Sequence, residues 1–379
     1  MIIIKENGEQ MSASPQPTWI EINLKAITSN CKNILLDTEV ALMAIVKGDA
    51  YGHGAVEVSR AALMGGATWL GVARFSEALL LRLNGIQAPI LVLGMATSDE
   101  VDQAIIHNVT LTLHDLDSLH LFAARAHAAN QPLRVHIKVD TGMSRLGFFP
   151  EEIVSVALQA QAAPELLIDG IFSHLAMAEE TAHSLNNLQL QRFQTAIDAV
   201  SSVGIHPTWI HLANSAAAFS LPGTRFNLVR VGNVVLGLRI RIDQPLPEYY
   251  QPALTWKAHL AACRSLPNGS GVGYGHTYFS QENETIGIIP VGYGDGLRRL
   301  RGNQVLIAGK KHPVVGRLCL DQLMVRLSGP YPMHTEVVII GNQGNQSIWV
   351  HDLAALYETT QVDITTHLHQ RVPRIYIDN

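Results

Sequence analysis

The feature of this sequence that most restricts its fold is a series of eight short apolar runs, separated by stretches with helical periodicity. The runs are rich in Val, Ile and Leu and occupy residues 40–46, 69–73, 89–93, 110–113, 134–139, 168–172, 209–212 and 226–231. Strands that are apolar throughout and alternate with helices are typical of a parallel sheet covered by helices. The pattern therefore predicts an α/β fold.

Helical patterns fill most of the intervals, at residues 55–64, 76–83, 98–107, 115–128, 151–162 and 185–203, with a short one at 215–219. Eight strand–helix units predict a (β/α)8 TIM-type barrel, for which about 250 residues are typical. A doubly wound open sheet is the alternative.

The positions of polar residues favour the barrel. A polar residue or a glycine stands at or just past the end of most runs: Lys47, Arg74, His114, Asp140, His174, Asn214 and Gly232. A barrel gathers such residues at its C-terminal mouth, where barrel enzymes have their active sites. An open sheet would concentrate them near one switch point instead.

The sequence changes in character after Leu238, where apolar and polar residues begin to alternate. Alternating segments occupy residues 255–263, 285–291, 305–307, 323–327 and 336–340, and the best helix candidate is 351–357. We therefore predict a mostly β C-terminal domain at 251–379, after a barrel at 18–250 and a flexible N-terminal tail at 1–17. Residues 239–250, which are rich in proline, are the predicted linker.

Charge and composition exclude several classes of function. Lys and Arg number 27 against 32 Asp and Glu, a formal charge of −5, and no basic run suggests a nucleic-acid binder. No stretch approaches the roughly 20 apolar residues of a membrane helix, and no signal peptide is evident, so a cytoplasmic protein is expected. The cysteines, Cys31, Cys263 and Cys319, are scattered and argue against a disulfide framework or a metal site. Met1 and Met11 are both possible starts.

The sharpest motif is residues 44–54, which read AIVKGDAYGHG. Lys47 ends a buried strand, where a charged amine is unfavourable unless it is paired or its pKa is lowered. A desolvated lysine is also what Schiff-base chemistry requires, because the neutral amine is the nucleophile. Tyr51 follows one turn later. The alternative is a lysine whose head reaches solvent from the end of the strand.

A second motif suggests a phosphate site. Asn214 and Ser215 follow the seventh run, and Arg230, Gly232 and Asn233 close the eighth. Barrels frequently bind phosphate between the loops after these two strands, near the N-terminus of a short helix. Ser215 would supply a hydroxyl and Gly232 an accessible N–H group, whereas the simpler interpretation is a helix N-cap.

The loop 138–147, KVDTGMSRLG, places Arg145 at the barrel mouth, where it suits the bidentate capture of a carboxylate. The alternative is a salt bridge with Asp140. His174 follows the sixth run and would face a flat ring, or else it is an ordinary histidine at the end of a strand.

Glycine-rich turns of the second domain carry tyrosines, in the segments 271–278 and 292–296, and a third such segment is 316–322. Tyr274 and Tyr293 would each present a placed hydroxyl, or they cover the edge of a sheet. Gly-x-Gly spacing is weak evidence for a nucleotide here, because no such turn joins a strand to a helix.

Together these motifs resemble the alanine racemase family, pyridoxal 5'-phosphate (PLP) enzymes with a (β/α)8 barrel and a C-terminal β domain. The resemblance extends from PTWIEINL at residues 17–24 to RVPR at 371–374, nearly the whole chain. It implies an isomerase that interconverts L- and D-alanine and supplies D-alanine for the cell wall. It also implies a homodimer.

The resemblance implies that Lys47 binds PLP as a Schiff base and is one of two catalytic bases. Tyr274, reaching the site of the partner subunit, would be the other. Two bases are needed because the α-proton leaves one face and a proton returns to the opposite face. Arg230 would contact the pyridine nitrogen and leave it unprotonated, since an arginine does not give up its proton readily.

The remaining site residues also come from the resemblance. PLP phosphate would be held by Tyr51, Ser215 and the backbone of Gly232 and Asn233, with His174 against the ring. Substrate would be bound by Arg145, Leu320 and Tyr293, supported by Lys138, Asp321 and Arg317. Lys138 matches a lysine that is often carbamylated in the family.

Three departures from the family pattern affect the expected pocket. Leu320 replaces a methionine, Leu236 stands where a tyrosine is common, and Val362 falls where the family has an active-site tyrosine unless Tyr357 takes that place. We expect weaker selectivity for alanine and room for a larger substrate such as serine. A racemase of another amino acid and a non-catalytic PLP carrier are the alternatives.

Overall fold

A computed structural model describes residues 3–4 and 16–378 of the chain. Its first half is the predicted barrel, built from the parallel strands Ala41–Ile45, Trp69–Val72, Ile90–Val92, Thr110–Leu113, Leu133–Lys138, Leu166–Phe172, Trp209–His211 and Leu228–Val231. From the first strand to the seventh, each pairs with the next, and the eighth pairs with the first. The seventh and eighth are joined by backbone hydrogen bonds, Arg230 N to Ala213 O (3.1 Å) and Asn227 N to Ile210 O (3.4 Å), which nearly close the barrel.

Helices surround the barrel, at Leu24–Thr38, Ala55–Met64, Phe75–Leu83, Ser98–Ile106, Leu116–Ala129, Ile153–Gln161, Ser184–Ser202 and Ser215–Ser220. Their starts follow local chemistry: Thr97 and Asp115 accept hydrogen bonds from backbone N–H groups of the first turn that have no partner within the helix. The helix Leu24–Thr38 was not predicted, although it buries Ile27, Cys31 and Ile34 on one face. Among the described residues, no helix is long and apolar enough to cross a membrane.

The C-terminal domain is mostly β, as predicted. Its main strands are Leu254–His259, Ala262–Leu266, Glu284–Ile289, Gln304–Ile307, Lys310–Val315, Leu323–Leu327, Glu336–Gln343, Gln346–Ile348 and Arg374–Ile377. The helices Val350–Leu356 and Gln361–Thr366 follow one another near its end. A short hairpin of Gly271–Val272 and Tyr278–Phe279 carries the turn Tyr274–His276.

The structure moves the start of the barrel relative to the predicted boundary at residue 18. The strand Thr18–Asn23 pairs with Leu254–His259 and with Arg374–Ile377, so it belongs to the C-terminal sheet. Its side chains alternate, with Ile20 and Ile22 fully buried, as in a strand with one covered face. Of the predicted tail 1–17, residues 1–2 and 5–15 lie outside the described residues, and Ile3–Ile4 pair with Arg374–Ile377.

Candidate active site

A cavity of about 260 Å³ opens at the C-terminal mouth of the barrel. Its wall contains eight of the residues predicted from the sequence: Lys47, Tyr51, Lys138, Arg145, His174, Ser215, Arg230 and Gly232. Apolar and small residues complete it, namely Ile45, Ala73, Leu93, Gly94, Leu146 and Phe172, together with Asn214. Of the seven strand-end residues that favoured the barrel, Lys47, His174, Asn214 and Gly232 line this cavity at the mouth, whereas Arg74, His114 and Asp140 do not.

Lys47 begins a turn with an unusual backbone. Gly48, Asp49, Ala50 and Tyr51 all have φ between 50° and 61°, in the left-handed region. Residues other than glycine are disfavoured there by about 1–2 kcal/mol each. A turn of this kind persists only where the surrounding structure holds it.

Glu77 holds the front of this turn. Its Oε1 accepts a hydrogen bond from Gly48 N at 2.6 Å, and its Oε2 accepts from Ala73 N at 2.8 Å and Arg74 N at 3.0 Å. The carboxylate thus joins the loops that follow the first and second barrel strands. Sequence reasoning missed Glu77, because Arg74 occupies the N-cap position where a Ser or Thr would have marked a capping box.

The C-terminal domain holds the back of the same turn. Arg374 donates from Nε and from Nη2 to the carbonyl oxygen of Gly52, both at 3.2 Å. A Cβ atom at Gly52 would lie 2.0 Å from Thr365 O, so the helix Gln361–Thr366 contacts the turn directly. Arg374 is the last residue of the RVPR motif, and nothing local in the sequence indicated that it would contact Gly52.

Four cationic side chains surround the cavity: Lys47, Lys138, Arg145 and Arg230. Burial lowers the pKa of Lys47, and the charges of Arg145 and Arg230 add to the effect, while Glu77 opposes it. Burial and the charge of Arg230 lower the pKa of Lys138 to about 7. Both amines are therefore biased towards their neutral, nucleophilic form.

Arg230 lies at the floor of the cavity and is almost fully buried. Its Nη1 donates to His211 Nδ1 (2.9 Å) and His211 O (3.1 Å), and its Nη2 donates to Ser173 O, His174 Nδ1 and Leu212 O. Among the described residues, no carboxylate pairs with it and its Nε–H makes no hydrogen bond. Burial lowers its pKa to about 9, so the guanidinium remains charged near neutral pH.

His174 is neutral in this setting. Burial and the nearby charge of Arg230 lower its pKa far below the usual value. Its Nδ1 lies 3.0 Å from Arg230 Nη2, and because arginine only donates, Nδ1 is an acceptor and the ring proton is on Nε2. The ring forms part of the cavity wall, as expected.

Tyr51, Ser215 and Gly232, which were predicted to form a phosphate site, lie close together. Gly232 N donates to Ser215 Oγ at 3.2 Å, and a Cβ atom at position 232 would lie 2.8 Å from the Tyr51 hydroxyl. Burial raises the pKa of Tyr51, so its hydroxyl keeps its proton and is a donor. Asn214 also caps the helix Ser215–Ser220, accepting from Ala217 N at 3.0 Å, so the cap interpretation is confirmed and the phosphate interpretation stays a prediction. Asn233 follows Gly232 but does not form part of the cavity wall.

Arg145 is exposed at the cavity rim, and it forms no ion pair with any described residue. The alternative partner is occupied, since Asp140 Oδ1 accepts from the backbone N–H groups of Gly142, Met143 and Ser144 at 2.9–3.1 Å. This guanidinium is therefore available for an anion.

The site residues predicted in the C-terminal domain lie outside the cavity wall. Tyr274, Tyr293 and Leu320 have exposed fractions of 68%, 43% and 48%. The Arg317 guanidinium packs against the backbone of the Tyr274 turn, 3.3 Å from the Cβ position of Gly275.

Asp321 pairs with Arg371 at 2.8 Å. Arg371 also binds Asp295 at 2.7 Å and the carbonyl of Leu320 at 3.3 Å. These contacts order an exposed face that is separate from the cavity of the same chain.

None of the three positions that depart from the family pattern, Leu236, Leu320 and Val362, forms part of the cavity wall. Leu236 is buried in the core and lies outside the cavity wall, so the expectation that this position belongs to the pocket is wrong. Val362 packs against the core on the helix beside the Lys47 turn. Tyr357 is buried and donates its hydroxyl to Asn303, so it does not replace the missing tyrosine.

Two family models match this chain, one over the barrel and one over the C-terminal domain. The family model described as "Alanine racemase, N-terminal domain" matches residues 22–240, and "Alanine racemase, C-terminal domain" matches residues 253–376. An alanine racemase of Geobacillus stearothermophilus is 40% identical over 365 residues, covering 95% of this chain and 93% of that protein.

Solved structures show the same likeness. The crystal structure of alanine racemase from E. faecalis superimposes with a TM-score of 0.91 at 36% identity, covering 96% of this chain and 98% of that one. A histidine racemase from Leuconostoc mesenteroides superimposes with a TM-score of 0.90 at 28% identity, covering 97% of this chain and 100% of that one.

Proposed function

The chain belongs to the alanine racemase family, and from that premise we propose that it interconverts L- and D-alanine with PLP as its cofactor. The observation that carries the proposal is Lys47, a lysine with a lowered pKa in the wall of a cation-rich cavity at the barrel mouth. Its free cysteines, Cys31, Cys263 and Cys319, support a further proposal that it acts in the cytoplasm, where thiols stay reduced.

The residues of the cavity fit PLP. Gly232 leaves no room for a Cβ atom, and its N–H group, the Ser215 hydroxyl and the Tyr51 hydroxyl lie together as phosphate ligands would. We assign the backbone of Asn233 to the same group. The Nε–H of Arg230 is a donor without a partner among the described residues, and it suits a ring nitrogen that accepts a hydrogen bond.

When bound, this cofactor supplies an electron sink that makes the α-proton of an attached amino acid acidic. Lys47 holds the cofactor and accepts the α-proton on one face of the substrate. Its neutral amine is favoured by burial and by the charges of Arg145 and Arg230. Arg230 donates to the ring nitrogen without protonating it, which moderates the sink and disfavours transamination.

The second base must stand on the opposite face of the substrate. We propose the partner subunit's Tyr274 for this role, so that the enzyme acts as a homodimer. The exposure of Tyr274, away from the cavity of its own chain, supports a contribution to another copy. The partner's Tyr293 and the partner's Leu320 would line the same substrate pocket, and Arg317 and Asp321 would support the exposed turns that present them.

Arg145 binds the substrate carboxylate, since it stands at the cavity rim without an anionic partner among the described residues. Lys138 supports it. With a pKa of about 7, its amine attacks CO₂, forms a carbamate and releases a proton. The carbamate would place one negative charge among the three other basic side chains of the cavity, Lys47, Arg145 and Arg230.

A second candidate is a racemase with another substrate. The structural likeness to a histidine racemase shows that this architecture also serves an amino acid other than alanine. Val362, beside the Lys47 turn, favours a roomier pocket than a tyrosine would leave. Steady-state constants for alanine, serine and histidine decide between them, and strict preference for alanine removes this candidate.

The experiment that tests the proposal is incubation of the purified protein with PLP and single L-amino acids in D₂O. We expect D-alanine to accumulate with deuterium at the α-carbon. Racemisation of serine or histidine but not alanine supports the second candidate. The absence of exchange from every amino acid, despite PLP bound at Lys47, indicates a non-catalytic carrier.

A further inference from the structure

Below the cavity, the interior of the barrel contains a chain of buried hydrogen bonds that the proposed mechanism does not use. Arg230 Nη1 lies 2.9 Å from His211 Nδ1, and His211 Nε2 lies 2.9 Å from His136 Nδ1. Both histidines are fully buried, on neighbouring positions of the barrel interior. This series of hydrogen bonds begins at Arg230, the residue assigned to the cofactor, and ends at His136 in the core.

Arginine fixes the direction of every bond in this chain. A guanidinium only donates, so His211 Nδ1 accepts, and its ring proton must be on Nε2. His211 Nε2 therefore donates to His136 Nδ1, which places the proton of His136 on its own Nε2. Burial lowers the pKa of His136 to about 3, and the pKa of His211 is also lowered well below its usual value, so both rings are neutral.

We propose that His136 is a positioning residue for Arg230 and acts through His211. Gly170, which has no side chain, leaves room for the imidazole ring of His136. The inference rests on the proposed function, because there Arg230 faces the ring nitrogen of PLP. His136 supplies the acceptor that holds the His211 ring with its Nδ1 lone pair towards Nη1 of Arg230. The guanidinium is then oriented with its Nε–H towards the cavity.

The unsatisfied end of the chain argues against a purely structural role. His136 Nε2 has no hydrogen-bond partner among the described residues, and the tilted ring of Trp69 lies 4.9 Å from the His136 ring. A buried donor without a partner costs stability, so an apolar side chain would pack here more favourably. The histidine at this position is explained by its bond to His211.

The backbone around His136 is shaped to receive the ring. A Cβ atom at Gly170 would lie 2.6 Å from Nδ1 and Cε1 of His136, closer than any real side-chain contact. The strand pairing also shifts register between Val135 and His136, opposite Ile168 and Gly170. Gly170 therefore offers a way to displace the ring without altering any ionisable group.

The geometry of Arg230 shows how such a displacement would reach the cavity. The N–H groups of Nη1 both point to His211, at its Nδ1 and its carbonyl oxygen. The His211 ring stacks on Phe172, with centroids 4.7 Å apart and planes 3° from parallel, and Phe172 is part of the cavity wall. A His211 ring that loses its bond to His136 is free to turn, which leaves one of the two N–H groups of Nη1 without its acceptor.

The first test is direct and needs neither cofactor nor activity. Two-bond ¹H–¹⁵N spectra of histidine-labelled protein report the tautomer of each ring, with signals assigned by His136→Asn and His211→Asn. We expect both rings to be neutral at pH 7 with the proton on Nε2. A proton on Nδ1 of either ring, or a charged ring at pH 7, overturns the proposal.

The second test uses two nearly isosteric variants. His136→Asn keeps an acceptor near Nδ1, whereas His136→Leu removes it. With PLP and alanine, we expect His136→Leu to form about tenfold more pyruvate by transamination per alanine racemised, with KM little changed. His136→Asn should stay near the wild-type ratio, and Gly170→Ala should resemble His136→Leu.

The possible outcomes distinguish a failure of the positioning role of His136 from a failure of the proposed function. Equal ratios for His136→Leu, His136→Asn and wild type show a purely structural role and overturn the proposal. If His136→Leu does not fold, Gly170→Ala and the spectra of the wild type decide the question. If the wild type racemises no amino acid, the proposed function fails, while the spectra still establish or exclude the hydrogen-bond chain.

Discussion

The barrel mouth and the exposed face of the C-terminal domain differ in how complete they are. The cavity at the barrel mouth is lined by groups already held in place, such as Arg230 with both Nη groups bonded. The C-terminal face presents Tyr274 with an exposed fraction of 68%, outside the wall of that cavity. Under the proposed function, one chain therefore forms the half of a site that would bind the cofactor, and it displays outwards the half that would serve its partner.

Two arginines of one short segment connect these regions. Arg374 donates to Gly52 O in the turn that carries Lys47, while Arg371 binds Asp295 and Asp321 in the loops of the C-terminal face. A single C-terminal segment therefore contacts both the turn of Lys47 and the loops of the exposed face. Groups that are already held in place lower the entropic cost of reaching the transition state, so preorganisation of this kind increases the reaction rate.

The largest effect is expected at the barrel mouth. Lys47→Ala removes both the attachment of the cofactor and one base, so we expect racemisation to fall by about 10⁴-fold or more. The fall is measured by chiral chromatography of alanine, with Lys47→Arg as the control that keeps charge and length. Substantial activity in Lys47→Ala would contradict the assignment.

Removal of the second base tests the other half. Tyr274→Phe should lower racemisation by about 10²- to 10⁴-fold, because proton transfer at one face is lost. Cofactor binding, followed by absorbance, should be unchanged, which separates this variant from Lys47→Ala. Tyr293→Phe is the matched control, with a smaller loss expected, and equal losses for the two tyrosines would remove Tyr274 from its role.

Substitutions of Arg374 and Arg371 are expected to affect different halves of the site. Arg374→Gln should weaken retention of the cofactor by about 10- to 100-fold, because it removes charge-assisted bonds that hold the turn of Lys47 and Tyr51. Arg371→Gln should lower racemisation but leave cofactor retention near that of the wild type. Retention is measured by equilibrium dialysis against PLP, and equal effects of both variants would show that the halves are not held separately.

The smallest effect concerns stability and its pH dependence. The pKa of Lys138 is about 7 in the folded chain against an ordinary value of 10.5. Between these values the unfolded chain binds more protons, so the free energy of unfolding should rise with pH from 7 to 10.5. Lys138→Met should flatten this rise and stabilise the protein at pH 7.

Urea unfolding at a series of pH values, in buffer free of CO₂, measures the effect. The absence of CO₂ keeps the Lys138 amine free. An unchanged slope in Lys138→Met would show that this amine does not titrate in the expected range.

The sequence predicted the barrel well because its signals are local. The strand Thr110–Leu113 and the helix Ala55–Met64 have the predicted bounds, since each is one apolar run or one amphipathic repeat. The strand Thr18–Asn23 was assigned to the wrong domain, because its partners Leu254–His259 and Arg374–Ile377 are more than two hundred residues away. Pairing at that distance leaves no local trace.

The site was predicted to the extent that its residues stand at strand ends or in recognisable motifs. Lys47, His174 and Arg230 were found in this way, and their assigned roles stay proposals. Glu77 and Arg374 were missed, because each acts through a backbone group on a different element. Leu236 was misplaced because its position was inferred by matching the family pattern, which gives no direction for a side chain.

Under the proposed function, each active site takes Lys47 from one chain and Tyr274 from another. Lys47→Ala and Tyr274→Phe, each nearly inactive alone, can be mixed, unfolded and refolded together. In a mixed dimer, one site then combines an intact Lys47 with an intact Tyr274 supplied by the other chain. We expect racemisation to return on mixing, in proportion to the mixed dimer formed. If both residues served the site of their own chain, every site would carry a lesion, and mixing would restore nothing.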